Sequence, residues 1–158
     1  METQRHEHLN DALNSQLPKA DLPTLTLPQR SDRVYRGVRH ADGSCAVTVE
    51  ESSSSSPTPE AAKVSRPLPL HLELGNHSPT GFAWGYGGSG PAQLALAILM
   101  DATGETTLAL RHYQNFKFSF VADWEDSWHI TQREIQSYVI AQESLAGCHE
   151  DRSSCRDC

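Results

Sequence analysis

The 158-residue chain is poor in aromatic side chains, at 7%, and only 37% of it is hydrophobic. An average globular domain is nearer about 45–50% apolar, so part of this chain is expected to lie outside any core. Positive charge is also short: 13 Lys and Arg stand against 20 Asp and Glu, a formal net charge of −7. That argues against a nucleic-acid binder, which needs a basic excess to neutralise phosphates. Long apolar runs are missing too. The run from Leu94 to Met100 falls far short of the roughly 20 residues of a membrane-spanning helix. Met1 to Asn10 is polar, without the apolar stretch of a secretory signal. A cytoplasmic chain is the expectation, with its four cysteines reduced.

What is present is unevenly spread. Residues 1–65 carry nine acids and seven bases, residues 66–120 three of each, and residues 121–158 eight acids and three bases. The neutral middle reads as core. Residues 1–32 hold Pro18, Pro23 and Pro28 and single leucines without a sustained period, the pattern of a disordered arm. One domain is expected over 33–146, with a Ser/Pro-rich disordered insertion at 51–66 that contains Ser52–Ser56. A disordered, cysteine-containing tail is expected at 147–158.

Within the domain, Val34–Val38 and Cys45–Glu50 are β-type runs around Asp42-Gly43, which predicts a hairpin with a type I′ turn. Val47 and Val49 fall on one face, Ala46, Thr48 and Glu50 on the other. Leu68 to Leu74 carries four leucines at period 2, which predicts a third strand, with Pro69 marking its start or a sheet edge. Leu94–Met100 is apolar at every position, the mark of a helix buried all round. Pro91 suits its first turn, Ser89 or Gly90 can cap it, and Gly104 ends it. A second helix is predicted from Thr106 or Thr107 to Ala122, where Ala109, Tyr113, Phe116 and Phe120 share a face. Phe116, Phe118 and Phe120 also alternate at period 2, but the 3–4 spacing covers more residues. Asp123–Trp128 reads as a loop. Thr131 with Glu134 is a capping box opening a third helix. The fold class is therefore α+β: a small antiparallel sheet, a hairpin plus one further strand, packed against three helices.

The segment Trp84-Gly85-Tyr86-Gly87-Gly88-Ser89-Gly90 carries the site question. It matches G-x-G-x-x-G by letter, but a loop precedes it and two helices follow, so the dinucleotide-binding context is missing. Pro91 stands where a phosphate-binding loop has its lysine. Gly87-Gly88-Ser89-Gly90 followed by Pro91 also fails the G-x-S-x-G nucleophile pattern. Two readings stay open. In one, backbone N–H groups of Gly87, Gly88, Ser89 and Gly90 meet a small anion at a helix N-terminus while Trp84 or Tyr86 stacks a flat ligand. In the other, the glycines allow close crossing over the buried helix and the aromatic residues cover the core; this scaffold reading is preferred.

No catalytic residues, metal set or cofactor are assigned. Cys148, Cys155 and Cys158 with His149 fit no standard zinc spacing and read as free thiols and imidazole in the tail. His6 and His8 read as an adventitious pair, His112 as a partly exposed structural histidine. Trp124 and Trp128 are either an exposed anchor pair or core closure, the latter preferred for Trp128.

The stretch Ser78-Pro79-Thr80-Gly81-Phe82-Ala83-Trp84-Gly85-Tyr86-Gly87-Gly88-Ser89-Gly90-Pro91-Ala92-Gln93-Leu94-Ala95-Leu96-Ala97 resembles the signature of an uncharacterised domain family of bacteria, archaea, phages and plasmids. Tyr35-Arg36-Gly37, Phe116-Lys117 and Trp128-x-Ile130-Thr131-x-x-Glu134-Ile135 are similar as well. The resemblance implies a small cytosolic domain often found on mobile elements, and brings no catalytic residues with it. The resulting expectation is a non-enzymatic binding or interaction protein with a protein partner, an accessory factor of a phage or plasmid. The alternative is a nucleotide or small-anion binder using the glycine-rich loop. A third is an acidic DNA-mimic inhibitor, on net charge alone. An enzyme ranks below the first two, and no direct contact with nucleic acid or membrane is expected.

Overall fold

The computed structural model describes residues 33–52 and 64–150. The expected arm at 1–32, most of the insertion, the His6–His8 pair, Cys155 and Cys158 lie outside the described residues; the tail expected from 147 starts inside the last helix, whose backbone runs through Cys148 to Glu150.

Strands β1 (Arg33–Arg39), β2 (Cys45–Glu51), β3 (Val64–Pro67) and β4 (Ser127–Thr131) form one antiparallel sheet in the order β3-β2-β1-β4. Helices α1 (Ser89–Thr103), α2 (Thr106–Ser119) and α3 (Gln132–Glu150) complete an α+β domain. Period-2 alternation turns Tyr35, Val47, Val49, Trp128 and Ile130 into the core and leaves Arg36, Val38, Ala46 and His129 on the open side of the sheet. Gly90 to Leu99 of α1 is buried at every position, as its unbroken apolar run requires.

Two strands depart from the sequence expectation. The third strand is Val64–Pro67, its first three residues inside the segment expected as insertion, and Leu68–Leu74 is not a strand. Leu68 N–H still reaches the Val47 carbonyl at 3.1 Å, but His71 then takes φ +53° and Leu74 N–H turns back to the His71 carbonyl. The alternating leucines thus line a turn beneath α1 rather than a ladder. β4, expected nowhere, takes the last two residues of the expected loop and runs to the capping box; Trp128 and Ile130 supply only one alternation, and α3 follows without a gap. The second helix stops at Ser119, and a short 3-10 turn, Val121–Asp123, takes up the remainder.

The hairpin turn also differs. His40 N–H bonds the Ser44 carbonyl at 2.8 Å and Gly43 N–H bonds the His40 carbonyl at 2.9 Å. Gly43 has φ +84° but Asp42 does not have positive φ, so the turn is not type I′. It is the longer hairpin connection closed by a left-handed glycine. The Asp42 carboxylate accepts from Ser44 N–H and Oγ, and these bonds hold it below its ordinary range.

Polar side chains tie α1 to everything around it. Gln93, fully buried, accepts from His77 and Ser78 N–H at 2.8 and 3.2 Å and donates to the Leu70 carbonyl at 2.6 Å. Near its other end Asp101 receives the Tyr35 hydroxyl at 2.8 Å and ion pairs from Arg33 and Arg66, both also paired with Glu51. Burial, with the Asp101 charge beside it, pushes the Tyr35 phenol far above its ordinary range, so it stays a donor. Gln132 donates to the Ala102 carbonyl at 2.9 Å, and Gly104, at φ +70°, closes the helix on Met100.

Helices α2 and α3 are joined by Glu143, which accepts from Arg111 and from His112 Nε2. His112 is buried rather than partly exposed. Thr131 and Glu134 form the expected capping box, each side chain bonding the other residue's N–H. Burial opposes the Glu143 charge, but the bonds from His112 and Arg111 outweigh it and hold the carboxyl below the usual glutamate range.

Gly37 faces Trp128 across the β1–β4 pair, and a Cβ there would stand 2.2 Å from the indole. A Cβ at Gly43 would meet nothing within 4 Å. Gly37→Ala should therefore cost at least about 2 kcal/mol through overpacking. Gly43→Val should cost about 1 kcal/mol from backbone strain alone. Urea midpoints of the two variants check the order; equal midpoints would contradict the packing account.

A folded-state pKa held below its unfolded value stabilises the fold above the unfolded pKa, and this is lost as pH falls through the folded one. Glu143→Gln should thus lose most stability near neutral pH, with a deficit that shrinks below about pH 4. Thermal melts across that range test it; a deficit constant with pH would refute the role of the charge.

Candidate functional site

The glycine-rich segment runs from the core to the N-terminus of α1, and its residues divide by depth. Trp84 is 1% exposed. Its indole N–H donates to the Glu125 carbonyl, its ring meets Trp128 edge-on at 5.6 Å, and Arg39 lies over it while donating to its carbonyl at 2.8 Å. Trp84 is therefore core, not the wall of a ligand groove, because its ring is spent on closing the sheet against α1. Trp124 stacks on Trp128 at 3.9 Å, and both belong to this closure.

The loop then rises. Gly85, at φ +83°, donates to the Val121 carbonyl at 3.0 Å, and a Cβ there would press on the Trp124 carbonyl at 2.9 Å. This is the one loop position where left-handed backbone and close crossing both demand glycine. Tyr86 turns back so that its ring lies across Gly88 and its hydroxyl end approaches Gly90. Gly90 is buried against Ala83. Gly88, at φ −86°, is the N-cap of α1, in place of the expected Ser89 or Gly90, and provides no side-chain bond. Ser89 is exposed.

Tyr86 is 51% exposed and Phe118, from the last turn of α2, 61% exposed. Phe118 packs against Gly87, so the two rings flank the bare Gly87–Gly88 backbone. Lys117 fixes the loop from beneath: its ammonium donates to the Gly87 carbonyl at 3.2 Å and sits 4.0 Å from the Phe118 ring centre. The sequence reading missed Phe118 and Lys117. The signal was the period-2 alternation of Phe116, Phe118 and Phe120, which on a helix must leave one phenylalanine facing water.

The loop is thus a braced turn that carries one exposed aromatic ring, Tyr86, beside a second, Phe118, on the last turn of α2. A depression of about 360 Å³ also opens beside Glu125, Asp126 and Ser127. Among the described residues no group of three or more His, Cys, Asp or Glu could hold a metal ion. No helix among them is long and apolar enough to cross a membrane.

Fold and site together define a small α+β domain built around one buried helix with an aromatic-flanked glycine turn at its N-terminus. The chain belongs to a family of unknown function, DUF6166, whose family model matches residues 35–141. Neither the curated proteins nor the solved structures contain a match.

A Cβ on Gly88 would collide with the Tyr86 ring at 2.3 Å, while the Gly88 backbone is compatible with any residue. Gly88→Ala should destabilise by about 1 kcal/mol or less, since an exposed ring can swing aside. In a Tyr86→Ala background that cost should vanish. Non-zero coupling in the double-mutant cycle is the expected reading; additive costs would mean the ring does not lie on Gly88.

Proposed function

We propose that this protein is a non-enzymatic interaction protein and that Tyr86 and Phe118, on either side of the Gly87–Gly88 backbone, are the anchors by which it holds a protein partner. The observation that carries this reading is the exposure of two aromatic rings, one on a turn braced by buried contacts and one on the end of α2 beside it. Aromatic side chains on a rigid support lose little freedom on binding and dominate interface energies. The groups best suited to chemistry are already engaged: His112 with Glu143, the Ser78 hydroxyl with the Gly81 carbonyl, Lys117 with Gly87. The resemblance of the central motif to a domain family of phages and plasmids supports a setting in the cytoplasm, as an accessory factor of a mobile element.

The test uses the full chain and its Tyr86→Ala/Phe118→Ala variant, crosslinked in the source cell. The variant should keep its stability within about 1 kcal/mol, since both side chains are exposed. A partner retained by the wild type and lost by the variant supports the reading. A partner held equally by both overturns it.

A further inference from the structure

β3 and β4 are the two edges of the sheet, and the bonding phase of each ladder decides which backbone groups face outward. Leu68 N–H bonds the Val47 carbonyl at 3.1 Å, so Val64 and Arg66 turn their groups to β2, and Ser65 and Pro67 turn theirs away. Pro67 has no N–H, which blunts that edge. On the other side Arg39 N–H bonds the Asp126 carbonyl at 2.8 Å, so Trp128 and Ile130 bond β1, and Ser127, His129 and Thr131 face outward. Thr131 N–H is taken by Glu134 at 2.8 Å. Ser127 and His129 are exposed, and no described residue bonds their N–H or C=O groups. The β1–β4 register is unbroken, and β4 holds neither proline nor lysine, so the devices that keep an edge from pairing are missing between Ser127 and His129.

The end of this edge that starts at Ser127 is acidic: Glu125 and Asp126, both exposed, line the depression of about 360 Å³ together with Ser127. Asp126 gives one oxygen to Arg39 at 3.1 Å. We infer that β4 is a docking edge distinct from the aromatic pair: an extended segment of a partner protein adds to the sheet along Ser127 and His129, with a Lys or Arg side chain at the Glu125–Asp126 depression. Backbone bonds supply the pairing, and the charge selects the partner. A second copy of this chain is a poorer occupant. Antiparallel pairing of two β4 strands, Ser127 against His129 each way, sets Glu125 across from Thr131, whose hydroxyl and N–H hold the Glu134 carboxylate. Like charges would then meet at both ends of the new pair.

The full-length protein is used to select from a display library of random peptides, with the Tyr86→Ala/Phe118→Ala variant as a second bait. Both baits should enrich the same peptides, with residues that favour extended backbone and a basic residue near one end. Adding the synthesised peptide should slow amide exchange at Ser127 and His129. N-methylation of alternate peptide amides should abolish binding in one phase and spare it in the other, since only one set faces β4. Replacing the basic residue by methionine should weaken binding about tenfold, and raising salt from about 0.05 M to about 0.5 M should largely remove that difference. Ser127→Pro removes an outward N–H and no ladder bond, so it should fold and bind the peptide about tenfold more weakly. Peptides that bind without slowing exchange at Ser127 and His129, or that show no basic preference, would overturn the inference, as would failure to enrich any peptide. Protection of those two amides in the full chain before peptide is added would overturn it too. Peptides lost with Tyr86 and Phe118 but kept by Ser127→Pro would overturn it and leave the aromatic surface standing. A dimer that Ser127→Pro dissolves would give the edge to a second copy and overturn it as well.

Discussion

Burial of α1 on every side is the constraint on which the rest of this structure depends. A helix without a wet face cannot leave polar groups to solvent, and each one left unpaired costs on the order of 1–3 kcal/mol. Three side chains answer for the parts of α1 that burial endangers. Gln93 uses both ends of its amide to bind the 70–78 turn, so the segment below the helix is held by the helix itself. Asp101 puts a negative charge near the negative end of the helix dipole, an unfavourable place that Arg33 and Arg66 offset from two different strands. Gln132, at the start of α3, takes the Ala102 carbonyl. The sheet, the preceding turn and the last helix are thereby all referenced to one element.

The other end of the domain is closed by aromatic residues that need glycine beneath them. Trp128 lies flat on Gly37, so that β1 and β4 approach without a side chain between them. Trp124 stacks on Trp128, and Trp84 meets it edge-on, an arrangement the ring quadrupoles favour. Gly85 then crosses over the Trp124 carbonyl. The glycine-rich segment is a packing device as far as Trp84 and Gly85, while Tyr86, expected over the core with Trp84, is half exposed because its ring folds back over Gly88 instead.

How much of this was legible in the sequence follows from what each element needs. The helices were read well because their burial is written in side chains: seven apolar residues from Leu94 to Met100 admit few other meanings. The capping box was legible for the same reason, since a Thr and a Glu three apart do the bonding themselves. Strand β3 was misplaced because an edge strand is held by backbone bonds to β2, which Val64-Ser65-Arg66-Pro67 can make without apolar alternation. The leucines at 68–74 show the converse: period 2 without a partner strand, broken where His71 adopts a left-handed backbone. Gln93 is the polar exception beside an apolar helix run, and its type alone does not say which backbone groups it serves. Lys117 and Phe118 could not be recognised as part of the glycine turn, because what brings them there is the crossing of α2 past α1.

That crossing also decides what kind of surface the turn is. Within α1, Ser89 is exposed while the residues from Gly90 to Leu99 are buried in the core. The Gly87–Ser89 turn is therefore where the most rigid element of the domain comes to solvent, and its flanking rings are carried by α2 and by a loop tied to Val121 and Lys117. Such a surface has little conformational freedom left to lose when it is covered, which favours recognition by a preformed fit over one that orders a flexible loop. It also means that a contact covering the turn acts on the first turn of the helix to which β1, β3, α2 and α3 are tied.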